Sequence, residues 1–111
     1  MMPFRRQDDR RAEPRRPANA PGLVVAPGLE LGCAIVDESA GGLRIRLQRD
    51  LALPDAVIVV DIGAGRAREG RVVWRKGHEL GLKTRDETSL ASLVPQRFAA
   101  AREAWRRAGG H

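Results

Sequence analysis

Cysteine and histidine are scarce in this chain of 111 residues, which has one cysteine and two histidines. The single Cys33 excludes a disulfide within the chain and fits a reducing compartment. Cys33, His78 and His111 are too few for a metal site, and neither a CxxC nor an HxxxH spacing occurs. We therefore expect no bound metal and no cofactor. Cys33 falls at period two between Leu31 and Ile35, so we interpret it as a core residue.

Aromatic residues and long apolar runs are also rare. The chain has two tryptophans, two phenylalanines and no tyrosine, which leaves little for stacking bases on a sheet and argues against a general RNA- or DNA-binding barrel. No apolar run is long enough to span a bilayer. The charged N-terminus has no apolar segment of the secretory type. We therefore expect a cytoplasmic protein without a membrane span.

Positive charge is concentrated at the N-terminus. The formal net charge is +6, which favours an anionic partner such as nucleic acid, a nucleotide or a membrane surface. Residues 1–20 hold six arginines against three acidic residues, with three prolines and few large apolar side chains. Such a segment cannot bury enough apolar surface to offset its ordering entropy. We therefore expect residues 1–20 to form a flexible basic arm, followed by one folded domain over residues 21–107.

Six short segments after Pro21 have the composition of β-strands. One of them alternates strictly, with Leu43, Ile45 and Leu47 on one face and arginines on the other. The six segments are 22–25, 31–36, 43–47, 56–62, 68–75 and 78–84. Their spacing, with turn residues between them, favours a small antiparallel barrel or sandwich over alternating strands and helices.

Apolar strand positions predict the core. We expect Ile35, Val36, Ile45, Ile58, Val60 and Val73 to be largely buried. We interpret Trp74 as packing at the core or its rim rather than as a stacking platform, and His78 as the neighbour of a turn. Pro27-Gly28 predicts the turn of the first hairpin, and Lys76-Gly77 predicts a two-residue loop in the last one.

A helix is predicted at the end of the chain. An apolar residue recurs at spacings of three and four, which gives one apolar stripe of Leu90, Leu93 or Val94, Phe98, Ala101 and Trp105. Pro95 suits the start of the main helix because its missing N–H is not needed there. We expect this stripe to pack the helix onto the barrel.

The stretch DESAGG, residues 37–42, combines an acidic side chain, a hydroxyl and two glycines just before an alternating strand. Asp37 and Ser39 both suit a turn, since their side chains hydrogen-bond nearby backbone. The same groups can also bind a ligand, because a carboxylate accepts from N–H donors and a hydroxyl both donates and accepts. Gly42 suits a tight turn or a close backbone approach.

Upstream, the stretch RRAEPR supplies Arg10, Arg11 and, after three further residues, Arg15. The pattern RRxxxR followed by (D/N)xSxxG, in this order and before a strand-rich region that ends in a helix, resembles the PilZ domain. The resemblance covers about residues 10–107. It implies an all-β fold with a C-terminal helix: a six-stranded antiparallel barrel with a flexible N-terminal arm.

The resemblance also implies a function, since PilZ domains are bacterial receptors for the second messenger cyclic di-GMP. It implies a non-enzymatic signalling protein that orders its arginine arm on ligand binding and acts on a protein effector. The implied ligand-binding residues are Arg10, Arg11, Arg15, Asp37, Ser39 and Gly42. Arginine suits this ligand, because its planar fork binds phosphate and reads the O6/N7 edge of guanine.

Three alternatives stay open. Arg5, Arg6 and Arg10 also match RRxxxR, although Arg10 to Arg15 lie closer to the first strand. Glu38 adds a carboxylate beside the ligand motif, and the first hairpin is short, so the chain could be a degenerate adaptor that binds a protein without nucleotide. A small basic nucleic-acid-binding barrel is the third hypothesis.

Overall fold

The computed structural model describes residues 16–110, with side chains from Asn19 onward. It contains six strands: β1 (Arg16–Ala26), β2 (Leu29–Ser39), β3 (Gly42–Leu47), β4 (Ala56–Asp61), β5 (Arg66–Lys76) and β6 (Glu79–Ser89). A short 3₁₀ turn (Gln96–Phe98) leads into helix α1 (Ala99–Arg107). No helix within residues 16–110 is long and apolar enough to cross a membrane.

The strands form a closed antiparallel barrel in the order β1-β2-β3-β6-β5-β4, and β4 pairs back onto β1. This confirms the predicted fold class, and it removes the exposed sheet edges that an open six-stranded sheet would have. Each strand pairs with the next one along the chain as a hairpin, except that β3 does not pair with β4. Instead, β3 pairs with β6. That crossover brings the β2–β3 hairpin beside the β5–β6 hairpin.

The barrel interior is aliphatic. Its buried residues are Val24, Leu31, Cys33, Ile35, Leu43, Ile45, Leu47, Val57, Val59, Leu80 and Leu82. The predictions for Ile35, Ile45 and Cys33 are confirmed, because each side chain is 5% exposed or less. Burial, and secondarily the negative charge of Asp61, raises the pKa of the Cys33 thiol to about 12.

A second core lies between the helix and the outer surface of the barrel. It consists of Val25, Val60, Ala67, Leu90, Phe98, Ala101, Ala104 and Trp105. The indole Nε1 of Trp105 donates a 2.9 Å hydrogen bond to the carbonyl of Ile62. The predicted burial of Val60, and the predicted packing of Phe98, Ala101 and Trp105, are confirmed.

Two predicted core residues are exposed. Leu93 is 90% exposed, because residues 93–95 are not helical and helical spacing does not apply before Gln96. Val73 is 59% exposed, because an irregularity in the β5–β6 register between Val72 and Trp74 shifts the alternation. Two further predicted core residues, Val36 and Ile58, are only partly buried.

The first strand begins at Arg16, six residues before its predicted start. Pro17 and Pro21 disfavoured a strand in the sequence, since proline lacks a ladder donor. The structure accommodates them because β4 pairs in register only with residues 22–25 of β1, and Pro21 takes part on that side through its carbonyl, which accepts a 3.2 Å hydrogen bond from the amide of Ile62. A bulge between Pro17 and Ala20, with Asn19 at φ +49°, interrupts the pairing there.

The last hairpin turns one residue later than predicted. Its loop is Gly77-His78, rather than Lys76-Gly77, and Gly77 takes a φ of +62°. The Nδ1 atom of His78 lies 3.2 Å from the carbonyl oxygen of Leu47. The first hairpin turns at Pro27-Gly28, as predicted.

Candidate ligand-binding site

A pocket of about 460 Å³ lies on the outer surface of the barrel, where the β2–β3 and β5–β6 hairpins meet. We call it the hairpin pocket. Its lining residues are Asp37, Ser39, Gly42, Leu43, Arg44, Val73, Trp74, Gly81 and Leu82. Asp37, Ser39 and Gly42, which the sequence singled out as a ligand motif, therefore lie together around one concave surface.

A bulge in β2 puts Asp37 in this pocket. Ile35 points into the barrel core, and strict alternation would turn Asp37 the same way. The β2–β3 register shifts between Ile35 and Asp37, however, so that Asp37 pairs with Arg44 and faces outward. Ser39 pairs with Gly42 across the two-residue turn, which puts it on the same outer side.

The same register also determines on which side of the wall Glu38 lies. Glu38 pairs with Leu43, whose side chain is part of the barrel core. Cross-strand partners share a face, so Glu38 lies on the inner side of the wall at this end of the barrel. Within the described part of the chain, the residues that line the hairpin pocket do not include Glu38. Glu38 therefore lies on the opposite face of β2 from Asp37 and Ser39.

Gly42 is required by a close backbone approach. A Cβ built at this position would lie 2.9 Å from the carbonyl oxygen of Leu82 in β6, closer than real Cβ atoms approach backbone. Any side chain here would push β3 away from β6 and alter the pocket floor. The sequence offered two reasons for glycine here, a tight turn or a close backbone approach, and the structure supports the close backbone approach.

Arg44 carries positive charge into the pocket. Its Nη2 lies 3.2 Å from Oδ2 of Asp37, and its Nη1 lies 4.0 Å from Oε1 of Glu79. Glu79 is shared with Arg46, whose Nη2 is 3.1 Å from Oε2. The Nε of Arg44 is buried and has no hydrogen-bond partner among the residues that the structure describes. The pocket thus contains an oriented carboxylate and a guanidinium N–H that remains to be satisfied.

Trp74 forms an aromatic wall of the pocket. It pairs with Gly81 across β5 and β6, and the indole lies so close to Gly81 that an added Cβ there would overlap it. Glycine therefore allows the indole to pack on the β6 backbone while remaining 44% exposed. The expected rim packing is confirmed. The expectation that Trp74 is not a stacking platform is untested, and its exposure and its place in the pocket lining argue against it. Val73, misassigned to the core, lies beside it in the pocket lining.

Sequence reasoning missed Arg44 and Trp74 as pocket residues, although two signals pointed to them. With the β2–β3 turn at Ala40-Gly41, simple hairpin counting pairs Asp37 with Arg44. A tryptophan near the end of one strand and a glycine near the start of the next is an arrangement in which the ring can cover the glycine.

The three motif arginines, Arg10, Arg11 and Arg15, lie outside the described residues. The described chain begins beside the pocket, because Arg16 pairs with Glu38 and Pro17 pairs with Asp37. The pocket itself combines an oriented carboxylate, a guanidinium and an aromatic side chain. Such groups suit the binding of a planar, hydrogen-bonding ligand that carries negative charge.

Comparison with known proteins agrees with this geometry. A family model described as PilZ domain matches residues 9–96, which is more than half of the chain. No curated protein matches this chain. PilZ domains are generally cyclic di-GMP receptors, and they are binding or adaptor domains rather than enzymes. The match extends over all six strands and agrees with the closed barrel and its single C-terminal helix, so this chain belongs to the PilZ domain family.

Proposed function

We propose that this protein binds cyclic di-GMP in the hairpin pocket, orders its N-terminal arginine arm around the ligand, and thereby signals to a protein partner in the cytoplasm. The observation that carries the proposal is the convergence of Asp37, Ser39 and Gly42 on one pocket of about 460 Å³. This volume falls within the range of roughly 300–1,000 Å³ that is usual for small-molecule sites.

The pocket chemistry suits a guanine nucleotide. The carboxylate of Asp37 can accept from the N–H donors on one edge of guanine, and Ser39 can bond the base or a phosphate. Trp74 offers an aromatic surface on which a purine can stack. The Arg44 side chain is 43% exposed, so the solvent-facing part of its guanidinium can meet an anionic ligand.

The start of β1 supports a role for the arginine arm. Arg16 is paired beside the pocket, and Arg15 is its covalent neighbour, with Cα atoms about 3.8 Å apart. Arg11 is five residues from Arg16, a span of at most about 17 Å of extended chain. The arm therefore has the length to return to the pocket, where arginine forks could bind phosphate and the O6/N7 edge of guanine.

Isothermal titration calorimetry with cyclic di-GMP tests the proposal, with GTP and cyclic di-AMP as competitor controls. We expect micromolar or tighter binding, roughly −8 kcal/mol or more favourable, and no comparable heat from the controls. Absence of heat from cyclic di-GMP at high concentration, with a folded protein, would favour the adaptor hypothesis. Base-independent binding that falls steeply with salt would instead indicate a general nucleic-acid binder.

Single-residue variants locate the site. Asp37→Ala should weaken cyclic di-GMP binding by ~2 kcal/mol, the scale of a lost charged hydrogen bond. The matched control is Asp50→Ala, which also removes an aspartate from an ion pair, here with Arg75 at 2.7 Å, outside the residues that line the pocket. Asp50→Ala should leave the dissociation constant unchanged, and equal losses in both variants would argue against this pocket.

The arm is tested in the same way. Arg11→Ala and Arg15→Ala should each weaken binding by ~2 kcal/mol or more while leaving the ligand-free melting temperature nearly unchanged. Arg5→Ala and Arg6→Ala serve as controls and should give small, salt-sensitive losses. Ligand should also protect the amides of residues 8–15, which precede β1, from hydrogen exchange, since a segment that folds on binding is ordered only then. The reverse pattern, with Arg5 and Arg6 critical, would identify the other RRxxxR register.

A further inference from the structure

Arg68 reaches from β5 to the turn between β2 and β3. Its Nη2 donates a 2.8 Å hydrogen bond to the carbonyl of Ser39, and its Nη1 donates a 3.3 Å bond to the carbonyl of Gly42. The side chain is only 14% exposed. Arg68 pairs with Val59, a barrel-core residue, so it lies on the inner side of the wall. The contact therefore joins distant parts of the chain from beneath the turn.

The two carbonyls have a special position. Ser39 and Gly42 pair with each other and close the two-residue turn Ala40-Gly41. One planar guanidinium that bonds both carbonyls fixes their separation and orientation, which an ammonium or an amide cannot do equally well. The carbonyl of Gly41 in the same turn accepts a 3.0 Å hydrogen bond from the amide of Thr84 in β6.

Ser39 and Gly42 also line the hairpin pocket, whereas Arg68 does not belong to its lining residues. Arg68 thus contacts two backbone carbonyls of the pocket wall from the inner side of the barrel, not from within the pocket. Glu87 lies nearby: the Nε of Arg68 is 4.0 Å from its Oε2, and the same oxygen accepts a 2.5 Å bond from Nε of Arg66.

We propose that Arg68 is a positioning residue that holds the Ser39–Gly42 turn in the geometry of the hairpin pocket. The consequence for ligand binding rests on the proposed function. Without the fork, the turn would keep only its strand pairing and the Thr84 bond, so Ser39 would sample orientations that do not match the ligand. Ligand binding would then have to order the turn again, which weakens affinity.

The experiment compares three variants in the full-length chain. Arg68→Gln removes the charge and the fork, Arg68→Lys keeps the charge and one bond, and Arg66→Gln is the matched control. Arg66 belongs to the same strand and bonds the same Glu87, and this bond does not reach the turn. The readouts are the cyclic di-GMP dissociation constant by calorimetry and the hydrogen-exchange rate of the Thr84 amide.

We expect Arg68→Gln to raise the dissociation constant about tenfold, which corresponds to ~1.4 kcal/mol. Arg68→Lys should recover part of this loss, and Arg66→Gln should stay within about twofold of wild type, well below ~1 kcal/mol. The Thr84 amide should exchange faster in Arg68→Gln than in Arg66→Gln, while amides of the barrel core keep their rates. A lysine rescue and a local exchange change would not result from a general loss of stability.

Folded Arg68→Gln protein with wild-type affinity and a wild-type Thr84 exchange rate would overturn the proposal. An equal loss of affinity in Arg66→Gln would also overturn it, since the effect would then come from Glu87. If wild type does not bind cyclic di-GMP, the proposed function fails, and Thr84 exchange in the ligand-free variants decides the role of Arg68. If Arg68→Gln does not fold, Arg68→Lys carries the same comparison with Arg66→Gln.

Discussion

Two regions on the outside of the barrel each contain a tryptophan, and they differ in what covers them. Trp105 lies under the helix at 4% exposure, and its indole N–H is bonded to the carbonyl of Ile62. Trp74 packs on Gly81 and is 44% exposed. The first is surrounded by aliphatic residues and Phe98, the second by the charged pair Asp37 and Arg44.

The difference shows that burial of an aromatic residue here depends on the covering element. The outer surfaces of β1 and β4 are covered by α1, whose alanines allow close approach to the sheet. The outer surfaces of β2, β3, β5 and β6 carry the hairpin pocket instead. One side of the barrel therefore contributes stability through packing, and the other leaves Trp74 and Arg44 partly exposed.

The largest expected effect is on the covered side. Trp105→Ala should lower the free energy of unfolding by ~3–5 kcal/mol, because it removes a fully packed aromatic side chain and leaves a cavity under the helix. Urea denaturation followed by circular dichroism measures this loss. If Trp105→Ala does not fold, Trp105→Phe should still cost ~1–3 kcal/mol, since the carbonyl of Ile62 loses its donor.

A matched control for the covered side is Leu93→Ala. Leu93 belongs to the same predicted stripe but is 90% exposed, so its truncation should change the unfolding free energy by less than ~0.5 kcal/mol. A large loss at Leu93, or a small one at Trp105, would contradict this assignment of the helix contacts.

On the side of the barrel that carries the hairpin pocket, Trp74→Ala should affect ligand binding more than stability. We expect a stability loss below ~1 kcal/mol, because much of the indole is already in solvent. Cyclic di-GMP binding should weaken by ~1–3 kcal/mol, the scale of one base–aromatic stack. Ligand should also quench Trp74 fluorescence, and Trp74→Phe should remove this signal while Trp105 continues to emit. Unchanged affinity in Trp74→Ala would show that no base stacks there.

The smallest expected effect is a pH dependence of stability that comes from Cys33 in the barrel interior. Burial raises the pKa of Cys33 from an ordinary value of 9.0 to about 12, so the folded state holds the thiol proton more tightly than the unfolded state. Stability should be nearly unaffected below pH 8 and should fall as pH rises through 9 towards 12, by about 1.4 kcal/mol at pH 10. Denaturation at pH 8 and pH 10 measures this.

Cys33→Val is the control for this pH dependence, because it fills the same space without a titrating group. Its stability should change less between pH 8 and pH 10 than that of wild type. The folded wild-type protein should also resist a thiol reagent at pH 8 and react after denaturation. Rapid labelling of the native protein would contradict the burial of Cys33.

Local patterns in the sequence predicted most of the barrel. The alternation around Ile45 and the apolar run around Ile35 identified buried strands, because period two is a property of the extended backbone itself. The turn at Pro27-Gly28 and the helical stripe of Phe98, Ala101 and Trp105 were predictable for the same local reason. The motif residues Asp37, Ser39 and Gly42 were also visible in the sequence, and only their assembly around a pocket needed the structure.

Bulges limited the prediction. The shift beside Val36 turns Asp37 outward, and the shift beside Val73 exposes that valine. A bulge depends on how two strands pair, and the amino-acid pattern of one strand does not contain that information. Pro17 and Pro21 concealed the start of β1 for a related reason: whether a proline is tolerated depends on which side of the strand is paired.

The sequence by itself determined the strand-rich class, the helix and the two arginine- and aspartate-bearing motifs, since these follow from periodicity and spacing along the chain. Tertiary structure alone decided that β3 pairs with β6, which brings Trp74 and Gly81 beside Asp37 and Arg44. It also decided that Arg68 reaches the turn at Ser39 and Gly42, 29 and 26 residues away. Such contacts arise from barrel closure, where strand order and register place distant residues together.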